Sequence, residues 1–399
     1  MSFKDTLIQE DGFGFVPRGT ESSKSREIVR RYTLTNKNEG IVRLISWGAS
    51  IQSIKIPNRD GKLADVVLGF DDLDGYLKNR YMGSIVGRVA DHISTHCDNQ
   101  IDPPTINKTQ KDRLNDDAIA FDNVNWHSQI VNNQVVMSHL SRADYPGDVL
   151  TQIKYTWTDD NQLHINIRAT STKSTPINIT NFCLFNLAGH GTGSKELKKH
   201  VLIINADSWI FTDVENHLPI GIISPVDCTS LELRLPVQLN QRRLFDVPGG
   251  GYNHNLLINS PSCWCYRFHA RILHPTSGRF LEVYSNHPGL RVYTGNELPN
   301  SEYVYPSDLK DQERGDQDTQ IDPLETVRLN RTMKKVAKRE AMEIYGKEGI
   351  PYRRHDGFSL SPQNYPNIIN VKSFPSCMLY PGKIYVHDMT YKFGVLSKD

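Results

Sequence analysis

Apolar and polar residues alternate along most of this chain with a period of two, the spacing of a strand with one buried face. Residues 151–170 show it most clearly. Ile153, Tyr155 and Trp157 alternate with polar neighbours, Asp159-Asp160-Asn161-Gln162 turns the chain, and Leu163, Ile165 and Ile167 alternate on the way back. This pattern predicts a β-hairpin that is buried on one side and solvated on the other. Shorter runs at Ile41–Ile45, Ile51–Ile56, Val66–Phe70, Val201–Ile204 and Phe280–Tyr284 read as further strands, punctuated by Gly, Pro, Asn and Asp. Many short strands without helical periods between them predict an all-β fold, an antiparallel sandwich or barrel.

Two stretches depart from that texture. Residues 1–27 are polar and read as a loose N-terminal arm ahead of one large β domain spanning 28–399. The second departure, 308–348, reads as an insertion in that domain. Asp308 to Asp322 is almost devoid of apolar residues, like a solvated linker. From Glu325 to Tyr345, the spacing of Leu329, Met333, Val336, Ala337, Ala341 and Ile344 predicts an amphipathic helix. Its remaining surface carries Arg328, Arg331, Lys334, Lys335, Lys338 and Arg339. Such a helix either packs on the sandwich edge or docks an acidic protein partner.

Composition narrows the function classes. The 399 residues are 38% hydrophobic with a net charge of +1, which supports a sizeable core and gives no bulk field for nucleic acid or membrane. The sequence has no long apolar run and no hydrophobic signal core at Met1-Ser2-Phe3-Lys4-Asp5. These features predict a soluble, cytoplasmic protein, and a monomer. Its six cysteines are scattered, with no Cys/His spacing of a zinc site, so no metal is expected. Gly249-Gly250-Gly251 precedes no helical pattern and does not read as a phosphate cradle. No cofactor is expected.

The chemistry lies in Asn178-Ile179-Thr180-Asn181-Phe182-Cys183-Leu184-Phe185-Asn186-Leu187-Ala188-Gly189. This segment resembles the signature of the aldose 1-epimerases (galactose mutarotases). Further matches follow in family order: Ile45-Ser46-Trp47-Gly48-Ala49, Asp65-Val66-Val67-Leu68-Gly69-Phe70-Asp71, Gly87-Arg88-Val89-Ala90, Tyr145-Pro146-Gly147-Asp148, Tyr293-Thr294-Gly295-Asn296 and Gln363-Asn364-Tyr365-Pro366. The resemblance covers about 28–307 and 350–395 and leaves 308–348 outside. It implies a large antiparallel β-sandwich of the galactose mutarotase type, with a sugar site in an open cleft and one helical insertion.

The same resemblance implies a reaction and a set of positions. Mutarotation interconverts the anomers of a free aldose through ring opening. A base takes the anomeric hydroxyl proton while an acid protonates the ring oxygen. Family members use a Glu and a His for these roles, and here those positions fall on Ser361 and Phe182. The family's sugar-holding Asn-Arg pair falls on Asp91 and His92, its second His on Asn115, its Asp-His-Asn triplet on Asn253-His254-Asn255, and its Gln on Arg291. Neither a phenyl ring nor a serine hydroxyl exchanges protons near neutral pH. The expectation is a family frame without the acid/base pair, acting as an interaction or structural protein or as a sugar-binding module for an aldohexose such as glucose or galactose. The alternative is an active epimerase in which His92, His190, His254 or His287, with Asp91 or Asp116 as a carboxylate, replaces the missing groups.

Overall fold

The computed structural model describes residues 6–16, 27–90, 120–142, 145–212, 219–260, 265–299, 343–366, 374 and 376–397. Three antiparallel sheets dominate. The first has five strands in chain order, Leu7–Phe15, Ile28–Thr35, Ile41–Ile45, Ser50–Pro57 and Leu63–Asp65. The second has nine, ordered Val237–Gln238, Val201–Ile204, Arg267–Leu273, Arg279–Ser285, Tyr385–Val395, Gln162–Ser171, Val149–Trp157, Gln134–Ser141 and His127–Val131. The third has five, ordered Pro219–Pro225, Ala206–Thr212, Asn253–Ile258, Gly289–Tyr293 and Ser359–Gln363. One apolar core joins all three, drawing Val42 and Ile54 from the first sheet, Ile153, Ile165 and Val283 from the second, and Leu256, Leu290 and Leu360 from the third.

The predicted hairpin forms two adjacent inner strands of the nine-stranded sheet. Ile165 stands opposite Tyr155 and Ile167 opposite Ile153, and all four side chains are fully buried. Lys154 between them faces solvent, so the period-two reading transfers directly to the sheet's two faces.

Two predicted elements differ. Val66–Phe70 is not a strand of any sheet. The Val66 N–H donates to Ile54 O at 2.9 Å and the Leu68 N–H to Leu184 O at 2.8 Å, while Val67 bridges Phe185. The segment crosses between two partners instead of running along one, which explains an apolar run with both faces buried. The polar N-terminus is not a loose arm over Leu7–Phe15, which is an edge strand paired with Ile28–Thr35. Glu10 pairs with Arg30, and Asp11 accepts from Arg31 at 2.9 and 2.5 Å. Because most of that strand is exposed, its sequence shows no alternation to read. Phe13 anchors it edge-on against Tyr76, 5.9 Å between ring centroids.

Residues 308–342 of the predicted insertion lie outside the described residues. Its expected helix does not extend to Tyr345, because Ile344–Tyr345 is a short strand paired with Pro351–Tyr352. Between the two strands lies Lys347, which is 5% exposed. Its ammonium donates to Asp65 Oδ2 at 2.6 Å and to Gln52 O at 2.9 Å. Burial lowers the lysine pKa, and the Asp65 carboxylate opposes that shift. Removing one member of a buried pair strands the other charge. Lys347→Ala is therefore expected to cost about 3–5 kcal/mol of unfolding free energy in a urea titration. Lys347→Met combined with Asp65→Asn is expected to recover most of it.

Candidate active site

The third sheet positions most of the predicted site. Asn255 lies opposite Arg291, and Asn253 opposite Tyr293. Across the next strand, Arg291 lies opposite Ser361 and Tyr293 opposite Ser359. Directly opposed residues of an antiparallel pair share a face. One face therefore collects Asn253, Asn255, Arg291, Tyr293, Ser359, Ser361 and Gln363. The other carries Leu256, Ile258, Leu290, Val292 and Leu360, all of which are buried.

The polar face is knitted together. Arg291 donates from Nε and Nη2 to Asn253 Oδ1 at 3.2 and 2.9 Å. Gln363 donates to Asn255 Oδ1 at 2.8 Å. The Ser359 and Ser361 hydroxyls are 2.9 Å apart, and Ser361 is 1% exposed. Asn253, Arg291 and Ser361 are thus brought together on one face.

His254 is not brought to that face. Strand alternation points it to the opposite side, where its ring lies 5.7 Å from Trp209 and its Nδ1 accepts from the Asn253 N–H at 3.0 Å. Burial lowers its pKa to about 4, so it is a neutral core residue with no route to a sugar hydroxyl on the polar face. Asp91, His92, Asn115 and Asp116 lie outside the described residues. The other described histidines weighed as replacements are also in the interior: His190 meets the Tyr352 hydroxyl at 3.2 Å, and His287 lies tilted against His387 at 3.7 Å between centroids. Among the described residues, no three His, Cys, Asp or Glu side chains gather as a metal site.

The signature segment lies against this sheet through its polar side chains. Asn178 accepts from the Asn364 N–H at 2.9 Å, Thr180 donates to Pro362 O at 2.6 Å, and Asn181 donates to Gly83 O at 2.8 Å. Asn186 donates to Asp356 O at 2.9 Å. Each of these buried groups satisfies a backbone partner, as burial requires. Asn178 and Thr180 make the segment a clamp on the end of the strand that bears Ser361, while Asn181 and Asn186 tie it to the chain on either side.

Phe182 sits beyond that clamp with its backbone N–H on Ser84 O. Its ring packs against Tyr293, 5.7 Å between centroids. It joins a second apolar cluster with Leu184, Leu68, Trp47 and Tyr352, to which Phe13 of the first strand and Ile344 also belong. Position 182 therefore does packing work here. Truncation to Phe182→Ala is expected to lower the unfolding free energy by about 2 kcal/mol, below the full aromatic penalty because the ring is only half-buried. A urea midpoint would measure it.

Sequence reasoning missed two participants. Tyr293 forms the aromatic wall with Phe182, and its signal was its place at the head of the Tyr-Thr-Gly-Asn motif. Ser359 holds Ser361, and its signal was the two-residue spacing that puts both on one strand face. The adjoining Gly249-Gly250-Gly251 is a turn, with all three residues at positive φ and Arg354 donating to Gly250 O at 3.2 Å.

Comparison with known proteins agrees with this frame. The family model described as aldose 1-epimerase matches residues 30–392. The chain is 35% identical over 361 residues to the galactose mutarotase of Rattus norvegicus, covering 89% of this chain and 91% of that protein. It is 34% identical to the Homo sapiens galactose mutarotase over the same shares. Among solved structures, a GalM/aldose epimerase homologue from C. elegans superposes with a TM-score of 0.70 at 22% identity, covering 91% of this chain and 98% of that one.

Proposed function

The chain belongs to the aldose 1-epimerase family, and we propose that it is a non-catalytic member, retaining the sheet that presents the sugar site but not the ability to interconvert anomers. The observation that carries this reading is the pair of positions the family resemblance assigns to acid and base. Phe182 is built into an apolar cluster with Tyr293. Ser361 is buried and bonded to another hydroxyl. Neither group can move a proton between the anomeric oxygen and the ring oxygen near neutral pH.

What remains on the polar face suits hydrogen bonding to neutral hydroxyls. Asn253 offers an amide and Arg291 a guanidinium. In this reading an aldohexose is held without being turned over, or the sheet serves as a platform for another macromolecule. Polarimetry on freshly dissolved α-D-glucose and α-D-galactose tests the loss of activity. A rate above the buffer blank would overturn the reading, and equilibrium dialysis of the same sugars separates a sugar-binding module from a structural protein.

A further inference from the structure

Away from the cleft, the solvent face of the nine-stranded sheet carries a group of aromatic side chains. Phe268 stands opposite Tyr284, Tyr284 opposite Thr390, and Thr390 opposite His164, so the four share one face. Tyr266, 51% exposed, lies nearly parallel to Tyr284, at 15° with 6.2 Å between centroids. Phe268 meets Tyr284 edge-on at 5.7 Å.

These rings are held in place. The Tyr266 hydroxyl donates to Thr390 Oγ1 at 2.5 Å, and that oxygen also meets His164 Nδ1 at 2.8 Å. The Tyr284 hydroxyl donates to Glu282 at 3.0 Å. Carboxylates beside the rings are paired with cations: Glu282 with Lys392 at 3.3 Å, and Asp388 with Arg168 at 2.7 Å.

Charge pairing leaves this surface without the one-signed field that a phosphate polymer needs. Fixed carboxylate, ammonium and guanidinium groups around half-exposed rings are too polar for an apolar anchor from a protein partner. They match a pyranose, whose C–H face lies on an aromatic ring while its hydroxyl edge bonds to polar groups. The rings and their polar margin continue across several strands, which suits a chain of sugars better than a single one. We propose that Tyr266, Tyr284 and Phe268, bordered by Glu282 and Asp388, form a binding surface for a neutral linear oligosaccharide, separate from the cleft and independent of the reading given for it.

The test is calorimetric titration of the full chain with cellohexaose and with maltohexaose, in the wild type, Tyr266→Ala and Tyr266→Phe. Saturable binding with a Kd of millimolar order is expected for at least one of the two. Tyr266→Ala, at a half-exposed position, is expected to weaken it about tenfold or more, and Tyr266→Phe to retain it because the ring face survives. Absence of binding to both oligosaccharides overturns the proposal. So does binding that Tyr266→Ala leaves unchanged, which would place the sugar in the cleft or elsewhere.

Discussion

Added to freshly dissolved α-D-galactose, the purified protein is expected to leave the optical rotation drifting at the rate of the buffer alone. A positioned acid or base is worth ~10² to 10⁴ in rate. Losing both at once removes on the order of 10⁴ or more, which brings a mutarotase down to the spontaneous reaction. Among the described residues, the histidines weighed as replacements are placed badly for it: His254 faces the core, and His190 and His287 are bound up in buried contacts. Phe182→His and Ser361→Glu are each expected to remain at the blank, since a base without an acid leaves one proton transfer unassisted. The double variant is the one expected to rise above it, because Arg291 stands directly opposite position 361 and a neighbouring guanidinium favours an ionised carboxylate. A wild-type rate above the blank would instead point to groups in the stretch containing Asp91 and His92.

The sandwich was legible because most strands bury one face, and burial writes itself into the sequence as alternation. Where both faces are exposed, as over Leu7–Phe15, or both buried, as over Val66–Phe70, alternation disappears and the reading fails. Ile344–Tyr345 failed for a related reason: two residues paired across a turn carry too little period to be told from the end of a helix. Within the site, the sheet brings Ser361, Asn253 and Arg291, named from separate motifs, onto one face, but treating Asn253-His254-Asn255 as one unit ignored the same rule of two. On a strand, the middle residue of a triplet must face away from its neighbours. The Lys347–Asp65 pair had no local signal, because its members are 282 residues apart in sequence.

Acid should unfold this protein well before its carboxylates titrate. Burial lowers the pKa of His200 and His387 to about 3, and of His139, His254 and His269 to about 4. Each is neutral in the folded protein and takes up a proton on unfolding once the pH falls below the ordinary histidine value of about 6.5. The unfolded chain then binds more protons, so stability rises with pH in this window and is lost as pH falls from about 6.5 towards 4. Each such histidine contributes ~1.4 kcal/mol per pH unit, and five acting together give ~7 kcal/mol per unit, against a typical total stability of about 5–15 kcal/mol. The groups at stake reach the site: the His387 ring donates to Ile179 O at 2.8 Å, in the segment that carries Phe182, and that bond goes with the fold that buries the ring. Circular dichroism is therefore expected to show cooperative loss of structure with a midpoint near pH 5 and an uptake of several protons. His269→Gln should reduce that uptake by about one. A native spectrum persisting to pH 4 would mean that these imidazoles find solvent or partners on protonation, and that burial alone does not hold them neutral.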